Sequence, residues 1–188
     1  MDAKDLANGI YLQYYYSVIA RRGECAWIKD ERVATACLKI AEQITNEDNR
    51  TFGIMLAGTN GVGKTTMARA FQSVVNMILP KMHTDIKGVL FTTAKDIMNG
   101  CWHPDRLKEE PILIIDDLGD ESSETRQYGN ISTPVIDVLE ARYDKQLYTF
   151  ITTNLTADQI QDKYGLRIRD RLREMMMMHT IEQGSYRK

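Results

Sequence analysis

The stretch Gly58-Thr59-Asn60-Gly61-Val62-Gly63-Lys64-Thr65-Thr66 constrains this chain more than any other. Its first eight residues fit G-x-x-x-x-G-K-[ST], the P-loop pattern, at every fixed position. Phe52-Gly53-Ile54-Met55-Leu56-Ala57 before it reads as a short buried strand, and Met67 to Val75 after it reads as a helix. In a strand–loop–helix setting, glycines let backbone N–H groups curl around a phosphate chain. The helix N-terminus adds its positive dipole end. Lys64 is placed to reach the β- and γ-phosphates, and the Thr65 hydroxyl to ligate Mg²⁺. Gly58 to Thr66 are therefore expected to bind ATP with Mg²⁺. A glycine-rich turn with a chance lysine is the plain alternative, and the flanking strand and helix weigh against it.

A length of 188 residues suits one domain with a real core. The net charge of −2 excludes a polycation that coats nucleic acid, so any DNA contact must come from a local basic patch. Cys25, Cys37 and Cys101 are odd in number and widely spaced, which fits a reducing compartment better than a disulfide framework. Cys101-Trp102-His103 has no second Cys/His pair to complete tetrahedral zinc. The opening Met1-Asp2-Ala3-Lys4-Asp5 is no signal peptide, and no apolar run approaches membrane-spanning length. The expectation is a cytoplasmic protein without a membrane partner.

Two regions are expected: a helical leader over 1–50 and a nucleotide-binding core over 51–188. The leader carries Tyr11, Leu12, Tyr14, Tyr15, Tyr16, Val18 and Ile19, followed by Arg21-Arg22. These residues are either a partner contact or the buried face of an amphipathic helix. Asp30 is placed to cap a second helix, in which Val33, Cys37, Ile40 and Ile44 recur at helical spacing. Strands and helices then alternate, the pattern of a parallel sheet covered on both faces. Strands are expected at Val89–Thr93, Ile112–Ile115, Leu147–Thr153 and Met176–Ile181, with a helix over Val135–Arg142 and a helix cap at Thr156. The run Met175 to Met178 reads as core filling by flexible thioethers.

Ile112-Leu113-Ile114-Ile115-Asp116-Asp117 is a Walker B pattern, an apolar strand that delivers acids to its C-terminal edge, where open parallel sheets bind ligands. Asp116 is placed to hold Mg²⁺ opposite Thr65. Asp117 is placed to orient or deprotonate the attacking water. Asn154 follows the strand Tyr148–Thr153, and its amide can bond both a γ-phosphate and the lytic water. On a helix, Ile168, Leu172 and Met175 share a buried stripe, with Arg167 and Arg171 on one flank and Arg169 and Arg173 on the other. One flank can insert arginine into a neighbouring subunit's site. The alternative is a solvated basic face paired with Asp170 and Glu174.

The P-loop, Asp116-Asp117-Leu118-Gly119, Thr152-Thr153-Asn154 and Arg167-Ile168-Arg169-Asp170-Arg171-Leu172 together resemble the DnaC/IstB-like branch of the AAA+ ATPases, over about residues 30 to 188. The resemblance implies an α/β P-loop NTPase of AAA+ type, a five-stranded parallel sheet in the order 5-1-4-3-2, and ATP bound between subunits. It implies Asn154 as sensor 1 and Arg171 as the arginine finger, with Arg167 the alternative one turn earlier. Gly184-Ser185-Tyr186-Arg187 resembles the family's terminal Ser-Tyr-Arg, which makes Arg187 a cofactor-binding sensor 2. Helicase loaders of this branch carry a separate N-terminal domain; here about fifty residues precede the core, and a long polar loop, Asp120 to Asn130, follows Walker B.

The function implied is a slow, oligomer-dependent ATPase that loads a replicative helicase with single-stranded DNA. An IstB-type transposition helper on duplex DNA, working with a transposase, is the alternative inside the branch. A nucleotide-gated assembly module with little turnover is the alternative from another class. A self-contained small-molecule kinase would need no arginine from a neighbour.

Overall fold

The computed structural model describes residues 2–22, 30–46, 51–82, 84–121, 126–127, 130–131 and 133–181. The side chains of Arg21 and Arg22, Cys25, the linker at 47–49, residues 122–125 and 128–129 of the polar loop, and Gly184-Ser185-Tyr186-Arg187 lie outside the described residues.

The chain opens with α1 (Ala3–Arg22) and α2 (Glu31–Thr45). Asp30 caps α2 as expected, its carboxylate accepting from the Arg32 N–H at 2.9 Å. The strands β1 (Gly53–Ala57), β2 (Leu90–Thr93), β3 (Ile112–Leu118), β4 (Tyr148–Thr153) and β5 (Met177–Thr180) then form one parallel sheet in the order 5-1-4-3-2. Between and after them run α3 (Lys64–Ile78), α4 (Ala94–Met98), α5 (Pro104–Glu109), α6 (Pro134–Asp144), α7 (Ala157–Tyr164) and α8 (Leu166–Met175). Arg126–Gln127 and Asn130–Ile131 pair as a short antiparallel ribbon apart from the sheet. β3 continues three residues past the apolar run, so both Walker B acids belong to the strand.

Successive side chains of a strand face opposite ways, and the two faces bury different partners. Ile54, Leu56, Ile114 and Phe150 turn to one face and pack with apolar residues of α1, α2 and α3. Met55, Leu113, Ile115 and Ile151 turn to the other and pack with residues of α4 to α8. The first face is closed by an aromatic group, with the Phe71 ring 5.0 Å from Phe150 and 6.0 Å from Tyr148. In α1, Leu6, Ile10 and Tyr14 recur every four residues and form the stripe that enters this same core. The leader tyrosines divide: Tyr14 is buried, while Tyr16 is 58% exposed.

Among the described residues, Arg142 of α6 is the largest side chain with no exposure at all. Its guanidinium donates to the carbonyls of Leu107 (2.8 Å), Glu110 (2.7 Å) and Tyr148 (2.6 Å) and to the Thr149 hydroxyl (2.8 Å). The end of a helix leaves carbonyls without intrahelical partners, and Arg142 satisfies those at the end of α5 while holding the start of β4. Burial lowers its pKa to about 10, against the raising influence of Glu110.

The methionine run departs from expectation. Met175 and Met176 are buried, but Met178 is 48% exposed. β5 is an edge strand paired only with β1, so alternation sends every second side chain outward.

Candidate functional site

Three strand ends converge at the carboxyl edge of the sheet. Ala57, the last residue of β1, stands opposite Thr153 of β4, so the glycine-rich loop leaves the sheet beside Asn154. The loop turns into α3 at Gly63, which is left-handed at φ 95° and caps the helix without a side-chain bond. Lys64 is buried behind the loop. Its ammonium donates to the carbonyls of Gly58 (2.8 Å) and Thr59 (3.0 Å) and to Asn154 Oδ1 (2.6 Å). Thr65 and Thr66 follow in the first turn of α3, both half-buried, while Thr59 and Asn60 are exposed, Val62 is buried and Gly61 is half-buried.

The acids of β3 are set by a β-bulge. Ile115 pairs with Ile151 and Leu118 with Thr153, three steps on β3 against two on β4. Two residues, Asp116 and Asp117, thus oppose the single Thr152. The Thr152 hydroxyl serves both, donating to Asp116 Oδ1 at 2.6 Å and accepting from the Asp117 N–H at 2.9 Å. Asp117 takes a left-handed backbone at φ 52°, uncommon for a residue with a side chain. Asp116 is buried and Asp117 half-buried, so adjacent acids are given different surroundings.

The turn after the bulge is fastened to α7. The Gly119 N–H donates to Glu121 Oε2 at 2.9 Å, and the Tyr164 hydroxyl donates to Glu121 Oε1. The Lys163 ammonium donates to the carbonyls of Gly119 and Glu121, both at 2.6 Å, and pairs with the Glu121 carboxylate at 3.3 Å. Burial, and then the hydrogen bond to Glu121, raise the Tyr164 phenol above its ordinary range. Gly119 is left-handed at φ 106°, and a Cβ there would meet Leu155 Cδ1 at 2.5 Å. The turn is therefore wedged against the residue that follows Asn154.

Arg167 and Arg171 of α8 face α6 rather than the acids of their own helix. Arg171 pairs with Glu140 (3.5 Å) and Asp144 (3.3 Å) and lies 4.7 Å over the Tyr143 ring. Arg167 shares Glu140 at 3.0 Å, which confirms their common flank. The expected pairing with Asp170 and Glu174 holds only for Arg169, which meets Asp170 at 2.9 Å; Glu174 instead accepts from the Tyr143 hydroxyl. The side chain of Arg171 is 18% exposed and that of Arg167 69%.

No family model matches the chain. A sequence relative, the replicative helicase loader DnaI of Bacillus subtilis (strain 168), is 24% identical over 147 residues, covering 75% of this chain and 45% of the relative. The chain thus spans less than half the length of that relative. The crystal structure of the DnaC helicase loader superposes with a TM-score of 0.60 at 22% identity, over 84% of this chain and 94% of that one. The chain shares the fold of that helicase-loader structure. AMPPCP-bound DnaA from Aquifex aeolicus gives a TM-score of 0.61 at 17% identity, over 84% of this chain and 49% of that one.

This fold brings Lys64, Asn154, Asp116 and Asp117 to one sheet edge and leaves Arg171 paired to α6. Sequence reading named Thr152, Tyr14 and the loop holding Glu121 without giving any of these three residues a part in the site, and assigned none to Lys163 or Tyr164. Thr152 left a signal in that a threonine in a buried strand needs a polar partner.

Proposed function

We propose that the chain is an ATP-binding and ATP-hydrolysing AAA+ protein of the DnaC type, acting in the cytoplasm during DNA replication as a helicase loader with single-stranded DNA. The observation that carries the hydrolytic part is the bond from Lys64 to Asn154, because it joins the phosphate-binding loop to the strand-end amide beside the β3 acids. The backbone of Gly58 to Thr66 binds the phosphates, and Lys64 exchanges its loop carbonyls for phosphate oxygens. Thr65 and Asp116 supply a hydroxyl and a carboxylate, hard oxygen donors of the kind Mg²⁺ accepts alongside substrate phosphates. When bound there, Mg²⁺ neutralises charge on the β- and γ-oxygens. Asp116 is held to one role by its bond to Thr152, whereas Asp117 is turned by the bulge and takes the proton of the attacking water. Asn154 orients that water.

Arg171 has its ion-pair partners on α6, away from the loop and the acids, which suits a group delivered to the next subunit. Assembly is then head-to-tail and nucleotide-dependent. Arg187 completes the site in cis as sensor 2. No helix among the described residues is long and apolar enough to cross a membrane. The helicase partner is carried over from the DnaI and DnaC relatives.

The test is ATP turnover over a series of protein concentrations, with and without single-stranded DNA, with Lys64→Ala as blank. Activity per subunit that rises with concentration and responds to single strands supports the reading. Stimulation by duplex alone moves it to a transposition helper. Activity that is flat and indifferent to DNA removes the shared site.

A further inference from the structure

The leader helix reaches the phosphate-binding loop. α1 lies along α3, close enough that a Cβ on Gly9 would touch Val74 Cγ1 at 3.4 Å. Farther along α1, Tyr14 is only 4% exposed, and its ring covers Gly63. A Cβ on residue 63 would lie 3.2 Å from Tyr14 Cζ and 3.3 Å from Cε2, and would occupy the same space as the hydroxyl oxygen. Gly63 is thus required twice, for its left-handed backbone and for the approach of this phenol. It is also the residue from which the loop passes into α3, at the helix end where phosphate-binding N–H groups are aimed.

We propose that Tyr14 is a positioning residue of the phosphate-binding loop, supplied in cis by the leader helix, and that it sets nucleotide affinity. The inference rests on the nucleotide-binding reading of the loop. The phenol backs Gly63 and keeps water from that side of the loop, so the loop holds its curled form before nucleotide arrives. A preformed loop spends less of the binding free energy on ordering. The contact also works in reverse: whatever fixes the loop fixes the residues of α1 packed on it, by linkage. Tyr11, three residues earlier on the same helix, serves as the matched control: burial first, and then its neighbours Cys37 and Asp30 on the α2 side, raise its phenol.

The experiment is calorimetric titration of ATP and ADP into the unsubstituted protein, Tyr14→Phe and Tyr11→Phe, with thermal unfolding of each in the absence of nucleotide. Tyr14→Phe, which removes the hydroxyl packed nearest Gly63, is expected to raise the dissociation constant roughly threefold to tenfold, and Tyr11→Phe to leave it unchanged. A general loss of stability would not separate the two variants in this way. Should Tyr14→Phe fail to fold, amide exchange in the unsubstituted protein replaces it: bound nucleotide is expected to slow exchange in α1 around Tyr14. Equal affinity of Tyr14→Phe and the unsubstituted protein overturns the proposal, and so does α1 exchange indifferent to nucleotide. Absence of nucleotide binding by the unsubstituted protein overturns the parent reading and this inference together.

Discussion

Lys64 and Asn154, ninety positions apart, are joined by a 2.6 Å hydrogen bond from ammonium to amide oxygen. The bond spans the gap between β1 and β4 at the sheet edge where the β3 acids also end. The same ammonium also donates to the loop carbonyls of Gly58 and Thr59. Lys64→Ala is expected to abolish ATP binding, whereas Asn154→Ala keeps binding and loses turnover by roughly a hundredfold, the scale of one preorganised polar group. Nucleotide titration and steady-state hydrolysis on the same preparations separate the two effects.

Arg171 is held by Glu140 and Asp144 over the Tyr143 ring. Arg171→Ala is expected to lower turnover by roughly a thousandfold, within the range for an arginine donated in trans. ATP affinity of the isolated subunit should not change. Adding a Lys64→Ala subunit, which keeps its arginine but binds no nucleotide, is expected to restore part of the activity in mixtures. Mixtures that stay inactive would place the arginine's action within its own subunit.

Glu121 is tied to Gly119, Tyr164 and Lys163 in a buried cluster. Replacing it by Gln removes the charge opposite Lys163 while keeping the shape, at an expected cost of about 2–3 kcal/mol. Because the turn that follows Asp117 is fastened by these bonds, turnover is expected to fall further than ATP affinity. Urea unfolding and the comparison of kcat with KM read the two consequences.

Arg142 supports carbonyls at the end of α5 and the start of β4. Arg142→Met retains much of the stem but strands three carbonyls and a hydroxyl, and is expected to cost on the order of 3–5 kcal/mol. Arg142→Lys should recover only part of this, since one ammonium cannot reach four acceptors in a fan. Urea midpoints for the two variants make the comparison.

Burial pushes the Cys37 thiol up from 9.0 to about 12. The folded chain therefore keeps a proton that the unfolded chain releases. The resulting stabilisation is complete below about pH 9 and is lost as pH rises toward 12. Tyr148 and Tyr164 are raised by burial in the same direction. Arg142 opposes them, since its lowered value means that the cost of burying its charge is relieved above about pH 10. Urea midpoints are expected to fall as pH rises from about 8 to about 11, and less so in Cys37→Ala than in the unsubstituted protein. In a Cys25→Ser background at neutral pH, the exposed Cys101 should react with thiol reagents quickly and Cys37 only on unfolding.

Local chemistry is what the sequence by itself determined. The glycine spacing before Lys64 requires a curled loop, the apolar run into Asp116-Asp117 requires a buried strand with acids at its end, and the Asp30 and Thr156 caps mark helix starts. All of these depend on residues within a few positions of one another. The sheet order 5-1-4-3-2 also matched, but it followed from the combined motifs and their family resemblance. Tertiary structure alone decided how the pieces act on each other. Asp116 and Asp117 look alike in sequence and differ in the fold, because the register of β3 against β4 slips by one residue at Thr152. Arg171 chose Glu140 and Asp144 over the acids of its own helix because α6 packs across its flank. Tyr14 reached Gly63 because α1 buries a four-residue stripe against the same core as α3. Register, helix placement and close approach depend on contacts between segments far apart in the chain, and no spacing within one segment encodes them.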